Sequence, residues 1–319
     1  MGIKIAGLGK SVPSKVLTNA DLSQMVDTND EWIKSRTGIE RRHVAVTETT
    51  TQLASEAAKE AVQQAGLMTE EIELIIVATV SPDATMPSTA CKVAQIIGAT
   101  KAMCFDITAA CSGFIVASDV AVSMIEKGTY KNALVIGAEV LSRVVDWQDR
   151  GTCVLFADGA GAAVYKVSDE NQVLAIQTGC DPKGADEITL PTGEGDKTFY
   201  EGEVAPRVIG MNGKTVYAFA TTKVPESIKS LLDTQALTSS DVRWYILHQA
   251  NSRIMDSVAR KLDMPKDCFF KNLSEYGNTS AASIPMALYE ASELFEPGDL
   301  IILSGFGAGL TWGTMLIKW

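Results

Sequence analysis

Histidine is nearly absent from this sequence: two occur in 319 residues, His43 and His248. A mechanism that needs one imidazole has two candidates, and a mechanism that needs a pair must use both. Long apolar runs are missing as well, since none approaches the roughly 18 residues of a membrane span. The opening Met1-Gly2-Ile3-Lys4-Ile5-Ala6-Gly7 has neither the basic region nor the long apolar core of an export signal and reads as a strand, so a cytoplasmic protein is expected. The six cysteines (Cys91, Cys104, Cys111, Cys153, Cys180 and Cys268) form no CxxC pair and have no histidine nearby. That argues against a zinc site and a disulfide framework, and it suits a reducing compartment. Positive charge is in deficit too: a net charge of −11 disfavours broad binding to nucleic acid and leaves an anionic partner only a local basic patch. What is present, 46% hydrophobic and 21% charged residues, is the composition of a soluble globular protein. The length allows two ordinary domains or two halves fused around one core.

An internal echo favours two halves. Residues Ala57 to Val77 read helix, Ala-Gly-Leu, acidic turn, strand, and Val224 to Leu247 read helix, Gln-Ala-Leu, polar turn, strand. Leu67 aligns with Leu237 and Ile76 with Ile246, both 170 positions apart, while Ala133-Leu134-Val135-Ile136-Gly137 matches Leu300-Ile301-Ile302-Leu303-Ser304 at an offset of 167. Each half carries Gly-Ala-Gly, at Gly159-Ala160-Gly161 and Gly307-Ala308-Gly309, expected as a turn leading into a strand. Neither is a dinucleotide fingerprint, because the third glycine is missing and a strand, not a helix, follows. Around these, Thr18 or Asn19 is placed to cap a helix through Met25, and a second helix is expected near Asp30 to Ser35. An amphipathic helix over Thr51 to Gly66 puts Leu53, Ala57, Ala61 and Val62 on one face, and Leu74 to Ala78 forms a buried strand. Two equivalent halves, 1–170 and 171–319, imply a layered α/β protein with its site where they meet.

In Phe105-Asp106-Ile107-Thr108-Ala109-Ala110-Cys111-Ser112-Gly113-Phe114 small residues surround one cysteine, and helical spacing starts directly after it at Ile115, Val116, Val120 and Met124. Unpaired N–H groups and the positive end of the macrodipole are expected to lower a thiol there from its usual pKa of about 8.5. From this stretch alone the commoner role of a cysteine is that of a small buried hydrophobe. The duplication sets Cys111 against Asn278-Thr279-Ser280, so two helix N-termini should face each other and bring Asn278 towards Cys111. His43 lies in Arg41-Arg42-His43, a charged stretch expected to be solvated. His248 directly follows the apolar Trp244-Tyr245-Ile246-Leu247, at a strand end of the kind that carries site residues in α/β proteins. Trp32 and Arg36 are one helical turn apart, so an aromatic face and a guanidinium could meet a ligand together, or the Trp could simply cover its own helix.

The motifs Ala109-Ala110-Cys111-Ser112-Gly113-Phe114, His248-Gln249-Ala250-Asn251, Gly277-Asn278-Thr279-Ser280-Ala281-Ala282-Ser283 and Phe306-Gly307-Ala308-Gly309-Leu310-Thr311-Trp312-Gly313 resemble those of the β-ketoacyl-[acyl carrier protein] synthase III family. Thr18-Asn19-Ala20-Asp21, Asp30-Glu31-Trp32-Ile33, Ser35-Arg36-Thr37-Gly38-Ile39 and Asp149-Arg150-Gly151-Thr152 extend the likeness from end to end. The resemblance implies the thiolase fold, a duplicated five-layered αβαβα architecture, and a homodimer. It implies decarboxylative Claisen condensation by a Cys-His-Asn triad: Cys111 takes an acyl group from acyl-CoA, and His248 and Asn278 stabilise the enolate of malonyl-acyl carrier protein. An oxyanion hole of the backbone N–H groups of Cys111 and Ala308 follows, with alanine where the family often has glycine. No metal or prosthetic group is required.

The resemblance also carries CoA contacts onto Trp32 and Arg150, which would sandwich the adenine, with Thr28, Arg36 and Asn251 nearby. Carrier-protein docking falls on Gln249, Ala250, Asn251, Ser252, Arg253, Arg260 and Lys261, with Arg253 and Arg260 on one helix face, and on Lys214 near the pantetheine. Met86 aligns with a phenylalanine that in some relatives reaches across the dimer interface and bounds the acyl pocket. Rival readings fail on residues. A thiolase needs a second cysteine within Gly305 to Gly313, which has none, and a Cys-His-His elongating synthase needs a second histidine that His43 is badly placed to supply. A cysteine hydrolase needs no duplication of this kind. A secondary-metabolism acyltransferase or priming synthase, and a non-catalytic subunit that binds acyl carrier protein, remain as alternatives.

Overall fold

The echo in the sequence becomes two sheets of matching topology. The computed structural model describes residues 2–193, 202 and 204–319. Its first sheet contains β1 (Gly2–Ser11), β2 (Leu74–Ala78), β3 (Met103–Ile107), β4 (Asn132–Val140) and β5 (Asp158–Ser168), in the spatial order β1-β5-β4-β2-β3. The second contains β6 (Val173–Cys180), β7 (Trp244–Leu247), β8 (Leu300–Gly307) and β9 (Thr311–Lys318), in the order β7-β8-β9-β6. In the first sheet β2 pairs parallel with β4, and antiparallel pairs β4·β5 and β5·β1 follow. In the second, β7 pairs parallel with β8, and antiparallel pairs β8·β9 and β9·β6 follow. Register repeats as well, with Ile76 opposite Val135 in one half and Ile246 opposite Leu303 in the other. The counterpart of β3 is reduced to one parallel bridge, Tyr245 to Phe269, whose rings stack with centroids 4.6 Å apart.

Helices fill the spaces between and outside the sheets because their apolar faces match. The helices α1 (Asp30–Thr37), α2 (Thr50–Gln64), α3 (Thr89–Ile97), α4 (Gly113–Glu126), α5 (Gly213–Thr234), α6 (Ser252–Leu262) and α7 (Ser283–Ala291) are the main ones. On α2, Leu53, Ala57, Ala61 and Val62 are buried with α3 against one face of the first sheet. On the outer face of the second sheet, α5 and α6 pack Ile228, Leu231 and Val258 against Tyr245 and Leu316. Between the sheets, Phe114, Ile115 and Ala121 of α4 and Ile284, Ala287 and Leu288 of α7 share a core with Leu74 and Ile76 on one side and Ile246 and Leu303 on the other. The result is the αβαβα stack, and truncating a middle-layer side chain such as Phe114 to alanine costs about 3–5 kcal/mol.

Several local expectations change. The helix expected through Met25 ends after one turn, Asn19–Leu22, its N-terminus closed by a Thr18–Asp21 capping box. The second helix runs on to Thr37, where Gly38 ends it in the left-handed region, and the helix expected over Thr51 to Gly66 spans Thr50–Gln64. Gly159-Ala160-Gly161 is not a turn; it lies inside β5, where a side chain on Gly161 would strike the backbone of α7 at Met286. Arg42 is not solvated but fully buried, its guanidinium donating to Asn19 Oδ1 at 2.8 Å and to the Val154 carbonyl at 2.8 Å.

Candidate active site

Two short 3-10 turns open the middle-layer helices: Ala110–Ser112 before α4 and Ser280–Ala282 before α7. Each begins on a non-glycine residue with positive φ, Ala110 at 45° and Ser280 at 49°. Such backbone is strained and persists where packing over-determines it. The matching turns show that Cys111 corresponds to Ala281, one residue beyond the Asn278–Ser280 expected from the repeat. They lie close enough for the Cys111 thiol to donate to Ser280 Oγ at 3.4 Å.

The support of these turns is crossed. A Cβ on Gly137 of β4 would come within 2.1 Å of the Ala281 carbonyl oxygen, and one on Gly307 of β8 within 2.6 Å of the Cys111 nitrogen. Each half's central strand therefore touches the other half's turn, and only glycine permits the approach.

Cys111, His248, Asn278, Ser280, Phe306 and Ala308 line one cavity of about 240 Å³, walled by apolar side chains that include Leu141, Leu155, Ile209 and Val216. His248 follows β7 directly, and its Nδ1 lies 2.6 Å from Ser283 Oγ while Phe306 packs edge-on to the ring with centroids 5.3 Å apart. Burial lowers the imidazole to about 3, so the ring is neutral. Asn278 is clamped through its backbone, its N–H donating to Leu155 O and its carbonyl accepting from Ala157 N, both at 2.9 Å. Its side-chain Oδ1 accepts the Ser280 N–H at 2.9 Å, which leaves the amide N–H₂ as the group it can offer a ligand.

Cys111 reverses one expectation. Burial pushes the thiol up to about 12, with the charge of Glu139 acting in the same direction, so desolvation outweighs the helix N-terminus. Other expected site residues divide. Ala250 and Asn251 line the cavity, and Asn251 also caps α6 through Arg253 N at 2.8 Å and donates to the Arg36 carbonyl at 3.0 Å. Gln249 is turned inward: its amide donates to the carbonyls of Leu247 at 2.7 Å and Phe270 at 3.2 Å and accepts from Asn272 N at 3.1 Å, so it is a buried brace and not a docking contact. Ser252 packs against Gly38, while Arg253, Arg260, Lys261 and Lys214 are exposed. Trp32 and Arg150 do not flank a gap; the guanidinium sits 5.1 Å over the indole ring. Thr28 Oγ1 is buried without a hydrogen-bond partner, and Arg36 is exposed. Met86 lies outside its own chain's cavity and is 83% exposed. His43 is half-buried against Pro13 O at 2.6 Å, away from the cavity. The pattern passed over Ser280, Ser283 and the fully buried Glu139, whose partners are remote in sequence. No group of three metal-ligating side chains occurs among the described residues.

A doubled α/β stack with a cysteine, a histidine and an asparagine brought to one cavity by its two halves defines a thiolase-fold enzyme of the condensing class. The family described as 3-oxoacyl-[acyl-carrier-protein] synthase III matches residues 105–182, and its C-terminal counterpart matches residues 232–319. The chain belongs to the β-ketoacyl-[acyl-carrier-protein] synthase III family. It is 46% identical to the β-ketoacyl-[acyl-carrier-protein] synthase III of Clostridium acetobutylicum over 99% of this chain and 98% of that one. It is 48% identical to the protein of the same name from Thermosynechococcus vestitus over 100% and 98%. The crystal structure of 3-oxoacyl-[acyl-carrier-protein] synthase III from Aquifex aeolicus VF5 superposes with a TM-score of 0.93 at 44% identity, covering 100% of both chains.

Proposed function

We propose that this enzyme condenses an acyl-CoA primer with malonyl-acyl carrier protein, releasing CoA and CO2 and starting fatty acid synthesis. The observation that carries the reading is the meeting of Cys111, His248 and Asn278 at one apolar-walled cavity. Cys111 sulfur bonds to the acyl carbonyl carbon, the carbon–sulfur bond to CoA breaks, and CoA leaves with a proton. The N–H groups of Cys111 and Ala308 hold the oxyanion. Malonyl-acyl carrier protein then enters, and its thioester oxygen accepts hydrogen bonds from His248 and from the free amide of Asn278. In this reading the 2.6 Å contact between Ser283 Oγ and Nδ1 is made with the serine hydrogen, and the neutral ring carries its proton on Nε2, the nitrogen that faces the substrate as donor. Loss of CO2 leaves an enolate whose carbon attacks the acyl-cysteine and expels the Cys111 sulfur. No step draws on a metal or prosthetic group.

Trp32, Arg150, Arg36, Thr28 and Asn251 are assigned to CoA, with Arg150 leaving the indole as adenine enters. Arg253, Arg260, Lys261 and Lys214 offer an acidic carrier protein a basic patch on an otherwise acidic molecule, with Ala250, Asn251 and Ser252 at the cavity mouth. The two halves are taken as 1–170 and 171–319, the enzyme as a cytoplasmic homodimer, and exposed Met86 as a residue that bounds the acyl pocket across that interface. No helix among the described residues is long and apolar enough to cross a membrane. Intact-protein mass spectrometry tests the core of this reading. An acyl adduct on the wild type that is discharged to product by malonyl-acyl carrier protein, and is missing from Cys111→Ala, is expected. Persistent acylation of Cys111→Ala overturns it.

A further inference from the structure

Glu290 has no part in those steps and does not line the cavity, yet it ties together the segments that carry both enolate donors. It sits on α7 two turns after Ser283, the residue whose hydroxyl touches His248. One carboxylate oxygen accepts from Lys10 Nζ at 2.5 Å and from the Tyr276 hydroxyl at 2.6 Å, and the other accepts from Asn272 Nδ2 at 2.9 Å. Lys10 also donates to the Tyr276 hydroxyl at 2.9 Å, so ammonium, phenol and carboxylate close a triangle. Lys10 belongs to β1, 266 positions before Tyr276 and 280 before Glu290. Burial opposes the charge, but the three donors more than offset it and hold the Glu290 carboxyl below its ordinary range, ionised at neutral pH.

Two routes lead from Glu290 to the site. Tyr276 stands two residues before Asn278, and Gly277 between them takes a φ of 65° that residues with side chains avoid. A glycine link passes on position only when both of its ends are held: Asn278 is held by Leu155 and Ala157, and Tyr276 by its hydroxyl. The second route runs through Asn272, whose backbone N–H donates to Gln249 Oε1 at 3.1 Å. The Gln249 N–H donates in turn to Ser283 Oγ at 3.4 Å, the atom 2.6 Å from His248 Nδ1. The Asn272 carbonyl accepts the N–H groups of Glu275 and Tyr276 at 3.1 and 3.2 Å, so both routes share the single helical turn Leu273–Tyr276.

We propose that Glu290 is a positioning residue for malonyl decarboxylation: by anchoring Tyr276 and Asn272 to Lys10 it sets the placement of Asn278 relative to His248, the two groups that must reach one thioester oxygen together. A fully exposed ion pair would fix little, but the Glu290 side chain is only 25% exposed and meets three donors from two segments remote in sequence. Cys111 is held differently, at the head of α4 and against Gly307 of β8, so acyl capture should not depend on Glu290.

This role rests on the reading of His248 and Asn278 as enolate donors, and the two half-reactions separate it from plain structural support. Rapid-quench loading from acyl-CoA, and single-turnover condensation of pre-acylated enzyme with malonyl-acyl carrier protein, are compared for wild type, Glu290→Ala, Glu290→Gln, Tyr276→Phe and Asn278→Ala. Glu290→Ala is expected to condense about tenfold more slowly at saturating malonyl-acyl carrier protein, with half-saturation unchanged and loading within about twofold of wild type. Glu290→Gln keeps an acceptor at the same reach and should recover part of the loss. Adding Tyr276→Phe to Glu290→Ala should cost less than Tyr276→Phe costs alone, because both changes release one anchor. Equal slowing of loading and condensation marks structural support only and overturns the proposal, as does wild-type condensation by Glu290→Ala or a loss confined to half-saturation. Should Glu290→Ala not fold, Tyr276→Phe decides, since it removes one hydroxyl and keeps the ring: a loss of about threefold or more confined to condensation is expected, and a smaller one overturns the role. If Asn278→Ala condenses as fast as wild type, the donor reading falls and takes this role with it; slow Asn278→Ala beside fast Glu290→Ala removes the role alone.

Discussion

Adding one methyl group at Gly307 probes how tightly the Cys111 turn is held. A Cβ there would lie 2.6 Å from Cys111 N, 3.2 Å from Ala110 Cβ and 3.3 Å from Cys111 Cα. Ordinary contact begins at 3.4 Å, so the turn must retreat by about 0.8 Å. Backbone on both sides makes that shift expensive, and overpacking of this kind costs about 1–3 kcal/mol of stability. Displacing a nucleophile by about 1 Å costs on the order of 100-fold in rate, so Gly307→Ala should load acyl groups roughly 30- to 100-fold more slowly. Gly128→Ala is the control. It sits beyond α4 with φ at 74° and nothing within 4 Å, so it should lose about 1–2 kcal/mol to backbone strain alone. Acylation followed by mass spectrometry, alongside denaturation of both variants, separates lost stability from lost geometry. Loading by Gly307→Ala within threefold of wild type, or equal slowing by Gly128→Ala, would refute the reasoning.

With its pKa raised to about 12, the Cys111 thiol should be alkylated by iodoacetamide at a rate that climbs about tenfold per pH unit through neutrality with no plateau, read by peptide mass spectrometry. A plateau near pH 7 would show a stabilised thiolate instead. Gln249→Ala should lose about 3 kcal/mol in urea denaturation, because it removes the partner of the buried Leu247 carbonyl, of the part-buried Phe270 carbonyl and of the buried Asn272 N–H. Unchanged stability together with weakened carrier-protein binding would restore Gln249 to the docking surface. Trp32→Ala should raise KM for acyl-CoA about tenfold with kcat unchanged in steady-state kinetics, given the roughly 1–2 kcal/mol such a stack supplies. An equal fall in kcat would place Trp32 in the chemistry.

What could be read from the sequence was what repeats or acts locally. Leu67 with Leu237 and Ile76 with Ile246 announced the doubled sheet because a fused duplication keeps its spacing, and Leu74 to Ala78 was plain as a buried strand because nothing polar interrupts it. Asn278 could be brought to Cys111 by the same symmetry, and His248 was marked by its place at the end of an apolar strand. What stayed hidden depends on residues far along the chain. Arg42 looked solvated beside Arg41 and His43, but its partners are Asn19 and Val154, 23 and 112 positions away. Gln249 looked like a site residue next to His248, but its side chain is occupied by Phe270 and Asn272. The thiol was expected low from its helix terminus, a local property, and is high because both halves close over it. Glu139 stood in an apolar strand with no pattern to mark it, and its donors Thr79 and Ser81 lie about 60 positions away.

The reciprocal contacts of Gly137 and Gly307 mean that a disturbance does not stay in the half where it is made. The reactive sulfur belongs to one half, yet the surface that fixes its position belongs to the other, and the reverse holds for the turn that carries Ser280. Anyone who wishes to retune acyl capture therefore has a handle more than 150 residues from the nucleophile, at Gly307 on β8. Libraries confined to the neighbourhood of Cys111 in sequence would leave that handle untouched.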